Sequence, residues 1–505
     1  MPIVISDSMV ITASPDKNTF GRIPVTIIQI DQDLCCKKWK DTNTCGTCNT
    51  TEATECYNTF ATCQSIPDYD LVNPLTLSFA KPQSDLPDEV YIIPSVKSIS
   101  TSPGRINVGG RSGKDQPLGR RAQITVSFQD HPHSDNFTDP YLSSRTYDPL
   151  IQGTFWGKWL KRNPYHQGRA LRLYEGYYGQ TIAEMRVRHY VIDTITLPDS
   201  KGNVKLVAKD ILTLADNKKA QAPTLSTGML LTDITDTTTD IIVTSAIIGD
   251  YTSYPTDIIR IEEELIRYTG LYTNGDGNLV FTGLTRGSDN TIASSHDLED
   301  TVQACLEYDI TRPDLVAYDL ITNYGNVLPT QIDIIGWNSE GGDWLATYTV
   351  TRIISEPTGV TELLGQLCEQ ALMYMWWDEY EALVKLRVLH PPLEVVPLIT
   401  EEGNLLQNSV SIKTETDLVA TEIWASYNPI NPVNIKERKD FKTTTALIDA
   451  VLESSFALGV RKVYSIIASW IQSDAIITQL TSTLLYRYSS APIFLTFTLD
   501  AKDND

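Results

Sequence analysis

Six of the eight cysteines in this chain lie within residues 35–63, and thiols this close together can hold a metal ion, an iron–sulfur cluster or disulfide bonds. They form three pairs, Cys35-Cys36, Cys45-x2-Cys48 and Cys56-x6-Cys63. A structural zinc site usually draws on two short knuckles of the CxxC type, whereas iron–sulfur clusters take four thiolates at irregular spacings. Since only one CxxC is present, the spacing favours a cluster, with zinc, disulfides and free thiols as alternatives.

The same segment contains few apolar residues, so burial alone cannot order it. The chain starts with MPIVISDSMVITASPD, which lacks the basic start and long apolar core of a secretory signal. A chain that stays in a reducing compartment is expected to use clustered thiols for coordination rather than for disulfides. Cys305 and Cys368 are isolated, and we expect both to pack in the core as small hydrophobic residues.

Composition narrows the class of protein further. The chain has 505 residues and a net charge of −22, which argues against a protein that grips a nucleic-acid backbone, because such proteins are expected to be basic. The hydrophobic fraction of 41% is ordinary for globular proteins and is enough for two to four domains. Since the sequence has no apolar run of about 18 residues, we expect no membrane insertion.

Short runs with strand-like alternation dominate the chain, and helices are fewer. The predicted strands lie at residues 25–30, 124–128, 384–388 and 494–499, and the predicted hairpins pair 187–197 with 204–207 and 265–269 with 279–282. Apolar stripes at three- and four-residue spacing predict helices at 313–324, 358–376 and 474–488. The pattern does not alternate strand and helix, so it argues against a doubly wound or barrel enzyme. The predicted fold class is mainly β (α+β), with several β-barrel-like or β-sandwich-like domains and a few packed helices.

Two further groups of residues have the composition of a metal site or of a hydrolase active site. The run from Asp130 to Asp135 contains two histidines and two carboxylates, but His-x-His fixes only two metal ligands, and we expect a polar loop there. Glu262-Glu263-Glu264 offers paired carboxylates of the kind that glycosidases use, and we expect a solvated acidic face instead. Neither pattern predicts an enzyme by itself.

The cysteine segment also resembles a known family. The run Glu55-Cys56-Tyr57-Asn58-Thr59-Phe60-Ala61-Thr62-Cys63-Gln64, preceded by Ile30 to Cys36, resembles the N-terminal cysteine region of the tail tip (baseplate hub) proteins of long-tailed siphophages and gene transfer agents. Later motifs fit the same family in order. They are Gly119 to Asp130, Asp135, Asp139-Pro140-Tyr141, Arg145, Gly153 to Lys158, Glu263 to Gly270, Leu284 to Gly287 with His296, and Trp376 to Glu379.

The resemblance implies a four-iron four-sulfur cluster on four cysteines. In the family pattern one cysteine lies about nine residues before a second, and the CYNTxxTC pair follows. Cys36 and Cys45 have that separation, so the resemblance favours Cys36, Cys45, Cys56 and Cys63 as ligands. Cys35 and Cys48 are additional to the pattern, and either one is a substitute ligand. Zinc is the alternative metal.

The resemblance also implies a division of the chain and a role for it. The division is 1–75 for an N-terminal β segment with the cysteine module, 76–225 for a β-rich hub domain, 226–310 for a small inserted β domain, and 311–505 for an α+β hub domain. The role is that of a non-enzymatic, homotrimeric virion protein, assembled in the bacterial cytoplasm. Its expected partners are the distal tail protein, other hub or tip proteins and central fibre proteins, and DNA is expected to pass without being bound. A tail-associated cell-wall hydrolase and a zinc-stapled binding module are the alternatives.

Overall fold

The computed structural model describes residues 23–36, 56–70, 75–83, 86–107, 118–252, 257–390, 399–400, 404–456 and 460–498. The fold within these ranges is built mainly from strands, which form eight separate sheets, and from a few helices. This confirms the predicted mainly-β class. None of the described sheets closes into a barrel.

One eight-stranded sheet forms the N-terminal half. Its strands are β1 Pro24–Gln32, β2 Leu75–Ala80, β3 Ile92–Ile93, β4 Val96–Ser102, β5 Gln123–Gln129, β6 Ala170–Tyr177, β7 Arg186–Ile195 and β8 Asn203–Lys209. They follow the order β3-β2-β1-β6-β7-β8-β5-β4, and all neighbouring strands are antiparallel except β2 and β3. The strand β5 alternates buried and partly exposed residues, as a strand with one face on a core must.

Helix α1, Phe155–Arg162, covers one face of this sheet. Its Trp156 is fully buried and packs against Phe79 of β2 and Phe128 of β5, with ring centroids 5.4 and 4.6 Å away. Aromatic side chains bury large apolar areas, so these contacts fix the helix to the sheet. The helix therefore holds its charged residues, Lys158 and Arg162, at a defined position beside the end of β1.

Short strands form the middle of the chain. These strands are β9 Gln221–Ala222, β10 Met229–Leu230, β11 Ile241–Thr244, β12 Ile258–Ile261, β13 Glu264–Arg267, β14 Gly270–Thr273, β15 Leu279–Thr282 and β16 Gln303–Ala304. They include two small sheets with the orders β10-β11-β15-β14 and β13-β12-β16. The turn at 274–278 is a hairpin as predicted, but its first strand is β14 rather than the predicted 265–269, because β13 turns back on β12 instead.

The C-terminal part combines helices with short sheets around one large core. Its strands are β17 Leu306–Thr311, β18 Val350–Ile354, β19 Thr358–Gly359, β20 Met373–Asp378, β21 Leu383–Val388, β22 Ser411–Thr414, β23 Glu422–Pro429, β24 Phe441–Ile448, β25 Val463–Ala468 and β26 Ile493–Thr496. The remaining helices are α2 Gly249–Thr252, α3 Pro313–Asp319, α4 Ile334–Trp344, α5 Val360–Ala371 and α6 Asp474–Tyr488. In the described part of the chain, no helix is long and apolar enough to cross a bilayer.

The helix predicted at 474–488 matches α6, and the one predicted at 313–324 is α3 continued by a π-helical turn at Leu320–Tyr324. The helix predicted at 358–376 was too long at both ends. Thr358 lies in β19, and Leu372 adopts a left-handed conformation with a φ of 50° that ends α5. The residues that follow pair with β21.

The division of the chain into four domains stays a prediction. The first of these segments does not form a sheet of its own, as far as the described residues show. Its strand β1 lies between β2 and β6 in the large sheet. The two isolated cysteines are confirmed as core residues, since Cys305 is 0% and Cys368 5% exposed. Burial raises the pKa of the Cys368 thiol to about 12, so it stays protonated and unreactive at neutral pH.

Candidate functional site

The first cysteine pair, Cys35-Cys36, lies just after the end of β1, an interior strand of the large sheet. Gln32, the last residue of β1, is buried and accepts a hydrogen bond from Nε1 of Trp159 in α1 at 2.9 Å. Asp33, next in the chain, pairs with Arg169 at 3.2 Å. The backbone that leads to Cys35 and Cys36 is therefore held by the sheet and by α1.

The second cysteine segment, residues 56–63, is hydrogen-bonded through Asn58 to the first, residues 35–36. The Cys35 N–H donates to the Asn58 carbonyl oxygen at 2.7 Å, and Nδ2 of Asn58 donates to the Cys35 carbonyl oxygen at 3.2 Å. Asn58 is buried and has a φ of 57°, a left-handed conformation that asparagine tolerates better than most residues. These hydrogen bonds bring residues 35–36 beside residues 56–58. The cysteine spacing alone could not show this.

Two of the sulfur atoms accept backbone hydrogen bonds. The Asp70 N–H donates to Sγ of Cys35 at 3.4 Å, and the Asn58 N–H donates to Sγ of Cys56 at 3.4 Å. Hydrogen bonds to sulfur tune the clusters that thiolates hold. All four described cysteines of the segment are partly buried, and no disulfide joins two of the described cysteines. The donor set thus has the chemistry that a thiolate-bound metal needs.

Tyr69 lies close to both cysteine segments. Burial raises the pKa of its hydroxyl to about 12, and the nearby Asp33, Cys35 and Cys63 add to this rise. The hydroxyl oxygen is buried, and no described residue hydrogen-bonds to it. A buried hydroxyl without a partner costs free energy, and an inorganic sulfide or thiolate acceptor at this place would satisfy it. The residues present therefore fit a metal–sulfur group.

A buried ion pair between Arg145 and Asp139 holds the second cysteine segment in place. Arg145 donates to Asp139 through Nε at 2.7 Å and through Nη2 at 3.0 Å, and its Nη2 also donates to the Cys56 carbonyl oxygen at 2.6 Å. The side chains of Arg145 and Asp139 are 4% and 0% exposed. Because a two-pronged arginine–carboxylate pair has a defined geometry, it places Cys56 accurately relative to the large sheet.

Tyr57, between Cys56 and Asn58, contacts two guanidinium groups. The carbon of the Arg162 guanidinium lies 3.8 Å and that of Arg145 lies 4.3 Å from the centroid of the ring. The Tyr57 hydroxyl also shares a hydrogen bond of 2.6 Å with the Tyr147 hydroxyl. These cation–π contacts stabilise the segment, and they place two positive charges near thiols that become negative when they bind a metal.

Asp135 anchors Arg162 in turn. Its carboxylate lies 2.6 Å from Nζ of Lys158 and 2.8 Å from Nη2 of Arg162, both on α1. Burial raises the pKa of the Asp135 carboxyl, but the neighbouring His133 and the hydrogen bonds from Lys158 and Arg162 outweigh it and hold the pKa far below its ordinary value. The loop at 130–135 is polar, as predicted, yet it is largely buried, and it holds this ion-pair network.

The predicted ligands divide into two groups. Cys36, Cys56 and Cys63, with the substitute Cys35, lie in the described residues and in two segments that are hydrogen-bonded to each other. Cys45 and the substitute Cys48 lie outside the described residues. The choice of four ligands among the six cysteines therefore stays a prediction.

Sequence reasoning missed one group elsewhere in the chain. Glu262 and Glu263 are exposed as predicted, but Glu264 is buried and bonded to Arg286 and His296. No local signal marked Glu264, because β13 has three successive buried residues and does not alternate. Glu262, His296 and Asp300 are close enough to share a metal ion.

Comparisons with known proteins give weak similarities only. No protein-family model and no curated protein matches the chain. Among solved structures, the 43 kDa tail protein of prophage MuSo2 from Shewanella oneidensis is 9% identical, with a TM-score of 0.32 over 76% of each chain. The tail protein from Neisseria meningitidis MC58 is 9% identical, with a TM-score of 0.30 over 79% of each chain. Similarity at this level assigns neither a family nor an activity to the chain.

Proposed function

We propose that this protein is a structural hub of a long, non-contractile phage tail tip, and that an iron–sulfur cluster staples its cysteine segment. The observation that carries the proposal is the hydrogen bond from Arg145 to the Cys56 carbonyl oxygen. It joins two motifs that each resemble the tail tip family and that lie 89 residues apart in the chain. Motifs that resemble one family and also meet in space are better support than either motif alone.

The cluster is proposed to be of the four-iron four-sulfur type, with zinc as the alternative metal. Cys36, Cys45, Cys56 and Cys63 are the proposed ligands, with Cys35 and Cys48 as substitutes. The hydrogen bond from Asp70 to Sγ of Cys35 supports Cys35 as well. A cluster, when bound, would cross-link a polar segment that has little apolar surface to bury. Its proposed role is therefore structural.

In the assembled virion, the hub is proposed to join the tail tube, through the distal tail protein, to other tip proteins and the central fibre. The family resemblance implies a threefold hub beneath a tube of sixfold rings, and such a hub needs three copies of the chain. We expect the purified protein to form a homotrimer, with a native mass about three times the 56.3 kDa of one chain. Light scattering coupled to gel filtration measures this mass. A monomer at the concentrations tested would contradict the trimeric hub.

The hub is also proposed to line the channel through which DNA leaves. The net charge of −22 supports this part, because an acidic lining repels phosphates and lets DNA pass without sticking. Electron microscopy of the trimer would show the sign of the charges that face the threefold axis. A basic lining would contradict this part of the proposal and leave the structural role intact.

The proposed role is not enzymatic, and a turbidity assay separates it from the cell-wall hydrolase alternative. We expect no clearing when the purified trimer is added to suspended cell walls, because a hub needs no carboxylate pair in an open cleft. A lytic enzyme of known activity serves as the positive control. Clearing that scales with the concentration of the protein would show that a purely structural role is wrong.

A further inference from the structure

A second candidate metal site lies far along the chain from the cysteines, at the turn between β12 and β13. The turn consists of Glu262 and Glu263, and the segment at 296–300 lies against it. The side chain of His296 is fully buried, while that of Glu262 is 61% exposed. The group therefore combines an imidazole fixed in the protein with a carboxylate that opens to solvent.

Glu264 determines which nitrogen of His296 carries a proton. Its carboxylate accepts hydrogen bonds from Nε and Nη2 of Arg286, both at 2.8 Å, and from the Gly287 and Ser294 N–H groups at 2.8 and 3.1 Å. The Glu264 carboxylate therefore faces a two-pronged arginine and two backbone N–H groups, all of them donors, and in this setting it acts as an acceptor.

His296 places Nε2 2.8 Å from Oε2 of Glu264, so Nε2 must be the protonated nitrogen. Ser294 Oγ lies further away, at 3.3 Å. A neutral imidazole has one N–H, and Nδ1 therefore presents a lone pair. Nδ1 lies 3.1 Å from Oε2 of Glu262, which is also an acceptor when ionised. Two lone-pair atoms at this distance repel each other unless a proton or a metal cation lies between them.

The distances suit a metal ion. Zinc binds imidazole nitrogen and carboxylate oxygen at about 2.0–2.2 Å, so two ligand atoms on one ion lie about 3.0–3.4 Å apart. The 3.1 Å between Nδ1 and Oε2 falls in this range. Asp300 offers a third ligand atom. All three atoms lie within 4.8 Å of one another, so the side chains would draw together by up to about 1–2 Å to share one ion.

The local charge also suits a divalent cation. Glu262, Glu264 and Asp300 bring three negative charges, and Arg286 brings one positive charge. Arg286 pairs with Glu264, so the carboxylates of Glu262 and Asp300 are the ones that face a divalent ion. The arrangement of Glu264 on Nε2 also matches a common feature of metal sites, in which a carboxylate holds the far nitrogen of a ligating histidine and sets its orientation.

We propose that Glu262, His296 and Asp300 bind a divalent first-row transition-metal ion, with Zn²⁺ as the probe, and that Glu264 orients His296. The ion would join the turn at 262–263 to the segment at 296–300, and water would complete its coordination on the solvent side. This site is independent of the proposed hub function and of the cysteine segment.

The number of zinc ions bound per chain tests the proposal. Chelator-treated protein is dialysed against micromolar Zn²⁺, and bound zinc per chain is measured by metal analysis. The proteins compared are the wild type, the two surface variants Glu262→Gln and Asp300→Asn, and the control Glu263→Gln. Glu263 is 70% exposed and adjacent to the site, so its variant makes the same charge change without removing a ligand. All four proteins keep the six clustered cysteines, so zinc held by those thiols is common to all.

We expect the wild type and Glu263→Gln to bind one more zinc per chain than the two site variants, and zinc to raise the thermal unfolding temperature of the first two proteins by more. Cobalt adds a spectroscopic check, because the absorption lost in the site variants should lack the intense near-ultraviolet bands of thiolate ligands. Equal zinc content in all four proteins would overturn the proposal. In that case a proton on Nδ1, rather than a metal, lies between His296 and Glu262.

Discussion

Replacing Arg145 by methionine is expected to destabilise the protein by about 3–5 kcal/mol, the usual cost of removing one partner from a buried ion pair. The variant Arg145→Met leaves the Asp139 carboxylate buried without its cation and removes the donor to the Cys56 carbonyl oxygen. It also removes one of the two guanidinium groups on the Tyr57 ring. The free energy of unfolding in urea measures the loss.

Two controls sharpen this experiment. Lys439→Met removes a cation whose pair with Glu437 is exposed at the surface, and its unfolding midpoint should stay close to that of the wild type. Arg145→Lys keeps the charge but loses the two-pronged geometry, so its stability should lie between those of Arg145→Met and the wild type. If Arg145→Met and Lys439→Met are equally stable, the ion pair does not anchor the cysteine segment.

The variant Asp135→Asn is expected to cost a similar amount, about 3–5 kcal/mol at about pH 7, because it leaves Lys158 and Arg162 without their shared carboxylate. Lys158 and Arg162 are both largely buried and lie near each other, so their charges then repel. Asparagine has nearly the volume of aspartate, and packing changes little. The matched control is Asp193→Asn, since Asp193 and its partner Lys209 are each 31% exposed, and about 0–1 kcal/mol is expected there.

The pH dependence of the Asp135 effect has a defined sign. The pKa of this carboxyl is far below the unfolded value of about 3.9, so the unfolded chain takes up the proton first as pH falls. The stability that Asp135 contributes is therefore complete above about pH 5 and is lost progressively below it. The gap between wild type and Asp135→Asn should shrink from about pH 7 to about pH 3. A gap that grows on acidification would contradict the assignment of Asp135 as an ionised anchor.

Local signals in the sequence predicted several elements well. Helix α6 was predicted with both of its ends, because its apolar residues recur at three- and four-residue spacing. The expectation that the isolated Cys305 and Cys368 pack in the core was confirmed. Strand pairing was harder, since β13 pairs with β12 through a two-residue turn that the sequence does not mark with glycine. Helix α5 ends at a leucine in a left-handed conformation, and no propensity scale predicts that.

The candidate sites were predictable to different degrees. The cysteine spacing pointed to Cys56, and the family resemblance included Asp139 and Arg145 among its later motif residues. They did not predict that Arg145 would reach the Cys56 backbone, because this contact joins residues 89 positions apart and depends on the tertiary fold. The group around His296 was missed for a related reason. Burial of Glu264 depends on tertiary packing, and a run of three glutamates gives no sign of it.

Anaerobic purification with metal analysis tests the central claim, the iron–sulfur cluster, most directly. We predict a brown protein with broad absorbance near about 400 nm and about four iron atoms per chain, as expected of one such cluster. The variants Cys56→Ser and Cys63→Ser should lose this iron, while Cys305→Ser, which changes a buried core cysteine, should keep it. A colourless, iron-free protein from anaerobic preparations would contradict the claim, and zinc at a fixed ratio in that protein would identify the alternative metal.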